Sequence, residues 1–389
     1  LVYQTDRGVV AANSDGSGQQ LITDQPIFRG DLPDGASAAN GWLALRIGAQ
    51  SLADLGTPDQ TVMLTLVHLP DGQLKPIGPL FSPEMQQAIA AAGFDRNDAI
   101  EAGIAIVENR DTLKWSPNGR YLAFIAALDG PSSDVYSYEM QTGQINRLTD
   151  GLNQAANLSW SPDSRWIVHE EVESFGTGAG WNAKAVWAAA PDGSQTKKVY
   201  DAPQSSGGEQ IIGWSAPDTF IVYTWQASGP LSPRLINVNT GAAAPLTLDM
   251  LKQGEWEHLV WATAAQRLFV TTFEQGVSGT TLDNQLTRQF AGEVFVPVVS
   301  PDGQQLAFWG NSQYGQQRDG VRVYALNGDL IREVTTDAAD FVTWQPDGAA
   351  LFYLSDGTLY AAQLPNGQPM PIDQGAQFST EGGLGWVQP

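Results

Sequence analysis

The chain has 389 residues, 42% of them hydrophobic, and its 42 acidic against 20 basic residues leave a formal charge of −22. With only six lysines there is no basic stripe to neutralise phosphates, which argues against nucleic acid and against anionic lipid as partners. No apolar run is long enough to cross a bilayer as a helix, and the absence of cysteine excludes disulfides and thiolate metal sites.

A chain this long predicts two or three domains unless repeats build one closed body. Repeats are what the chain holds. Leu1-Val2-Tyr3-Gln4 has the pattern of Leu122-Ala123-Phe124-Ile125 and Leu351-Phe352-Tyr353-Leu354, strands that follow a turn, yet no turn precedes it. Leu32-Pro33-Asp34-Gly35 is a weak first copy of a phrase that becomes clear at Trp115-Ser116-Pro117-Asn118-Gly119. There an apolar anchor ends one strand, a Pro/Gly turn follows, and a second apolar strand begins. The phrase returns at Trp160-Ser161-Pro162-Asp163, Trp214-Ser215-Ala216-Pro217-Asp218, Trp261-Ala262-Thr263, Val299-Ser300-Pro301-Asp302-Gly303 and Trp344-Gln345-Pro346-Asp347-Gly348. Self-similarity at roughly 40–50 residues marks a propeller or solenoid. The anchors Trp115, Trp160, Trp214, Trp261 and Trp344 are expected to pack between neighbouring blades.

Between the second and third units, Ser82-Pro83-Glu84 followed by an apolar-periodic run to Gly93 predicts a helical insertion over 82–111, with Met85, Ile89 and Ala92 on one face. The following Phe94 to Glu101 stretch resembles the start of a calcium loop, but Gly is absent at the sixth position and Ile106 stands where a bidentate Glu is needed. At the C-terminus, Leu384-Gly385-Trp386-Val387-Gln388-Pro389 aligns with Phe341-Val342-Thr343-Trp344-Gln345-Pro346 and supplies the strand that Leu1 to Gln4 lacks. A ring closed by its own two ends has no exposed sheet edge between first and last units.

Hairpin turns give the count. Asp15-Gly16, Asp71-Gly72, Thr142-Gly143, Asp192-Gly193, Thr240-Gly241, Asn327-Gly328, Asn366-Gly367 and the poorer Asp283-Asn284 each read as the turn between a unit's last two strands. The expected fold is all-β: one eight-bladed β-propeller over 1–389, with seven blades as the alternative, closed by N- and C-terminal strands sharing one blade.

The repeated Trp-Ser-Pro-Asp/Asn-Gly phrase resembles the WD40-like propeller repeats called PD40, found in the TolB propeller and in the propeller domains of prolyl-oligopeptidase-type and tricorn proteases. The resemblance is plain at 115–124, 160–168, 300–308 and 344–353. It implies a propeller; for function it implies either a protein-binding module of the cell envelope or a domain that guards or extends an enzyme.

Strand alternation puts the short Pro/Asx-Gly turns on one face and the long connections on the other: the insertion after Phe81, 126–134, 170–184, 226–233, 248–258 and 310–320. Long loops on a rigid scaffold carry binding function. Glu170-Glu171-Val172-Glu173 through Trp181 is the sharpest recognition candidate, joined by Trp225 and Trp256, which stand outside the anchor register. Gly176-Thr177-Gly178-Ala179-Gly180 does not satisfy the dinucleotide fingerprint. His68, His169 and His258 fall in three separate blades, so no metal and no cofactor is expected, although acids beside His169 and His258 keep metal-assisted chemistry as a lesser reading. No Gly-x-Ser-x-Gly elbow occurs, and no catalytic set is named. Arg29-Gly30-Asp31 reads as coincidence, and Asn157-Leu158-Ser159 is a glycosylation sequon.

The expectation from these residues is a non-enzymatic extracytoplasmic protein-interaction or assembly module binding protein partners through its long-loop face, with a subunit of a larger surface assembly as a related reading. The alternative is a polysaccharide lyase or hydrolase working at the central channel.

Overall fold

The turn phrase works through its serine. In the computed structural model Ser161 Oγ donates to Asp163 Oδ1 at 2.7 Å and accepts the backbone N–H of Trp166 at 2.9 Å, while Asp163 Oδ1 accepts that of Arg165. Ser116 with Asn118, and Ser300 with Asp302, repeat the arrangement. The turn thus satisfies its own backbone donors where strands one and two of a blade meet. Its fourth residue takes a left-handed conformation: Gly119, Gly303 and Gly348 have φ of +67°, +72° and +74°, and Ser164 takes the same place at +61°.

Eight sheets follow, seven of four strands and one of three. Described are residues 1–25, 27–28, 41–49, 61–69, 71–92, 106–107, 112–130, 132–174, 181–203, 208–225, 233–252, 256–272, 276–283, 288–290, 292–293, 295, 297–314, 318–376 and 384–386. The blades lie in a ring, the arrangement of an eight-bladed β-propeller. Blade 3 comprises Leu113–Trp115, Tyr121–Ala126, Asp134–Glu139 and Ile145–Arg147, and blade 4 comprises Gln154–Trp160, Ile167–Ser174, Trp181–Ala189 and Thr196–Asp201. First strands of neighbouring blades touch one another, and fourth strands are the exposed ones, so the first strand is innermost.

The ring is sewn shut by its ends. Leu384–Gly385 pairs antiparallel with Val2–Thr5, Val2 opposite Gly385 and Tyr3 opposite Leu384, in one sheet with Gly8–Ala11 and Gln20–Thr23. Blade 2 is the thin one. Trp42–Ile47, Met63–His68 and Gln73–Pro79 form it, and among the described residues its innermost position is held by the single bridge between Ile27 and Ile47.

The anchor tryptophans join consecutive blades through their indole N–H groups. Trp160 donates to Lys114 O at 2.9 Å, Trp214 to Ser159 Oγ at 3.0 Å, Trp261 to Trp214 O at 2.8 Å and Trp344 to Val298 O at 2.9 Å. Each acceptor lies on the first strand of the blade before. Trp115 breaks the series: the preceding blade is the thin one, and its Nε1 is buried without a partner among the described residues. Gly213 shows how closely anchors pack, since a Cβ there would lie 2.9 Å from Trp261 Cδ1. Four fully buried phenylalanines, Phe220, Phe269, Phe308 and Phe352, lie on second strands and fill the space between sheets.

Helix Pro83–Ala92 follows blade 2, with Ser82 Oγ accepting the N–H of Met85 at 3.0 Å and Met85 buried. The side chains of Ile89 and Ala92 lie outside the described set. Among the described residues no helix is long and apolar enough to cross a membrane.

Candidate functional site

Blades 3 and 4 are joined by residues 148–153, and their packing leaves a cavity of about 280 Å³ between them. The link itself forms one wall with Leu148, Thr149, Asp150 and Asn153, continuing into Gln154 and Ala155 at the start of the innermost strand. Asp134 comes from blade 3, and His169, Glu171, Trp187 and Thr196 come from blade 4. Alternation along Ile167–Ser174 is what sends His169 and Glu171 to the same side.

The carboxylates in the cavity are held from behind, and the imidazole is not. Glu171 accepts from Asn153 Nδ2 at 2.6 Å through one oxygen and from the Trp187 indole N–H at 2.7 Å through the other. Asp134, with its side chain 1% exposed, accepts from Arg147 Nη2 at 2.7 Å and from Thr149 Oγ1 at 2.7 Å. Burial pushes its carboxyl above the usual range, against the opposing pull of those two donors. Arg147 also pairs with Asp129 at 2.5 Å and with the exposed Asp150 at 3.0 Å. His169 is 3% exposed, and its Nδ1 is sealed without a partner. Burial lowers the ring to about 4, so the imidazole is neutral at ordinary pH.

The structure separates the candidates read from the sequence. The run from Glu170 is not a loop at its start: residues 170–174 continue a strand, because their register with residues 154–156 and with the third strand carries on through a bulge. Glu171 lines the cavity. Glu170 turns to the opposite side, buried, where it accepts from Asn157 Nδ2 at 2.9 Å; burial, followed by the charge of Glu170, pushes Tyr223 up to about 12. Glu173 is exposed and pairs with Lys184 at 2.8 Å. Trp181, Trp225 and Trp256 stand at strand ends, in Trp181–Ala189, Thr219–Trp225 and Trp256–Ala262, and their side chains lie outside the described set, as does that of His258. His68 pairs with Asp71 at 2.8 Å in the hairpin of blade 2 and packs on Trp42.

The sequon residue Asn157 sits at a bulge with φ +54°, its amide spent on Glu170. A glycan on that nitrogen would break the hydrogen bond to one oxygen of a buried carboxylate. Asp134, Asn153 and Trp187 were not singled out from the sequence. No local motif marks them, since their meeting depends on how two blades stack. Among the described residues no group of three or more His, Asp or Glu is close enough to hold a metal ion.

No family model matches the chain. Over 88 residues, 23% of this chain and 27% of the relative, it is 31% identical to the uncharacterized protein Atu1656 of Agrobacterium fabrum. Over 62 residues, 16% of this chain and 9% of the relative, it is 37% identical to the uncharacterized peptidase YuxL of Bacillus subtilis. Among solved structures, a prolyl endopeptidase is matched over 89% of this chain and 50% of that one, with a TM-score of 0.55 and 13% identity. A puromycin hydrolase is matched over 89% of this chain and 54% of that one, with a TM-score of 0.53 and 13% identity. TolB from Acinetobacter baumannii matches more loosely, over 75% of this chain and 63% of that one, at a TM-score of 0.41 and 13% identity.

These likenesses correct the expectation of a non-enzymatic module. The two solved proteins matched over 89% of this chain are enzymes, and the higher local sequence identity is to a peptidase. The turn phrase misled on this point because it encodes how blades fold and join, which is common to binding and enzymatic propellers. The chain spans about half the length of the solved enzymes it matches and 27% and 9% of the curated relatives.

Proposed function

We propose that this chain is the propeller of a peptide- or amide-hydrolysing enzyme, with the nucleophile supplied by a hydrolase unit against which the propeller sits. The carrying observation is the fold match to a prolyl endopeptidase and a puromycin hydrolase over 89% of the chain at TM-scores of 0.55 and 0.53. The local identity to YuxL supports it. The chain has no Gly-x-Ser-x-Gly elbow, so in this reading it governs access and selection while the bond is cleaved elsewhere. The acidic, lysine-poor composition supports an extracytoplasmic setting for that enzyme.

The test is native purification from source cells, with peptide p-nitroanilides and a fluorophosphonate label as readouts. An amide-cleaving, fluorophosphonate-sensitive activity is expected to co-fractionate with the chain and to disappear when an antibody to the propeller depletes it. Fractions rich in the chain that cleave none of a broad peptide panel, and carry no labelled hydrolase, overturn the reading.

A further inference from the structure

We propose that the cavity between blades 3 and 4 binds a small organic cation: a primary or secondary amine carried on a flat apolar body. This goes beyond the hydrolase reading and does not rest on it.

Charge is the first observation. Asp134, Asp150 and Glu171 line the cavity, and among the described residues no lysine or arginine does. Arg147 stands behind Asp134 and is shared with Asp129 and Asp150, so it offsets only part of the negative charge. The Glu171 carboxylate is also fixed in place before any ligand arrives. Each oxygen already takes one donor, from Asn153 or Trp187, and keeps a lone pair for another.

His169 is the second and independent observation. Its ring is 3% exposed, lines the cavity and makes no hydrogen bond among the described residues. With Nδ1 sealed, Nε2 is the nitrogen left to reach the cavity. A buried polar ring without a partner is costly, and a site that keeps one is a site with a missing partner. A neutral imidazole accepts a hydrogen bond from an ammonium group; a protonated one would repel it. An anion is disfavoured by the three carboxylates.

The remaining walls set the body of the ligand. Leu148, Ala155 and the Trp187 indole are apolar, and the indole is held by its bond to Glu171. The carboxylates are too dispersed for an inorganic cation, since no group of three metal-binding side chains gathers among the described residues. At about 30 Å³ per water-sized group, the 280 Å³ cavity holds about nine such groups. 2-Phenylethylamine is of that size and serves as the probe.

Isothermal titration of the full chain with 2-phenylethylamine, 2-phenylethanol and phenylacetate tests the proposal. The amine is expected to bind saturably, the alcohol about tenfold more weakly or worse, and phenylacetate not at all, with amine affinity falling as salt rises. Glu171→Gln should weaken the amine about tenfold while leaving the alcohol unchanged. Asp150→Asn, at an exposed position that does not threaten folding, should weaken it by about threefold. Equal affinity for amine and alcohol, amine binding unchanged in both variants, or no saturable amine binding at millimolar concentration overturns the proposal.

Discussion

The indole Nε1 of Trp160 donates to the backbone carbonyl of Lys114 at 2.9 Å, so the residue that ends one blade's innermost strand is fastened to the innermost strand of the blade before. The bond recurs from Trp214, Trp261 and Trp344 and fails at Trp115, where the blade before is the thin one.

That difference separates two substitutions that look alike. Trp160→Phe removes a made hydrogen bond and should cost about 1 kcal/mol more than its loss of volume alone. Trp115→Phe removes a buried N–H that has no partner among the described residues, and should cost less than Trp160→Phe despite the same change in size. Trp160→Ala should cost about 3–5 kcal/mol. Urea midpoints of the three variants, at unchanged slope, check the order.

His169 makes stability depend on pH. Its ring is lowered from 6.5 to about 4 by burial alone. As pH falls below 6.5 the unfolded chain takes up a proton that the folded chain refuses until about 4, so the unfolded state gains. The contribution is fully present above the unfolded value, declines through the window from 6.5 to 4, and amounts to about 3 kcal/mol across it. His169→Phe keeps a flat ring in the slot and should lack this slope. A wild-type minus variant difference that stays flat between those pH values contradicts the assignment.

Arg322 and Glu293 are each 1% exposed in their side chains and bond at 2.5 Å and 2.8 Å, with the Tyr324 hydroxyl donating to the same carboxylate at 2.9 Å. Burial, followed by the charge of Glu293, pushes Tyr324 up to about 12. Arg322→Met alone leaves a buried carboxylate without its cation and should cost about 3–5 kcal/mol. Arg322→Met with Glu293→Leu should recover most of that loss, because neither charge then needs solvation. Thermal or urea unfolding of both variants decides; a double variant as unstable as the single one would show that the pair itself stabilises the fold.

Much of the architecture was legible because it rests on local chemistry. A serine two residues before Asp or Asn closes a turn wherever it stands, as Ser116, Ser161 and Ser300 do. The half-phrase at Leu384 pointed to the strand at Val2, and the two are paired. The blade 3–4 cavity was legible only in part. Glu171 was named beside Glu170 and Glu173 as one acidic run, yet strand alternation gives the three different surroundings: a cavity, a buried contact with Asn157, and solvent. The turn phrase pointed to protease propellers and to binding modules alike and could not choose between them, since it encodes how blades fold and join.

Turn residues, anchors and the matching halves at the two ends were enough to determine a closed propeller and to favour eight blades over seven, because hairpins and strand alternation are set by neighbours within a few positions. Tertiary structure alone decided that Asp134 reaches the cavity beside His169, that the imidazole is buried and neutral, and that Trp115 finds no partner among the described residues. Those outcomes depend on how closely one sheet stacks on the next and on what is left out of water between them, and a two-residue periodicity does not encode that distance.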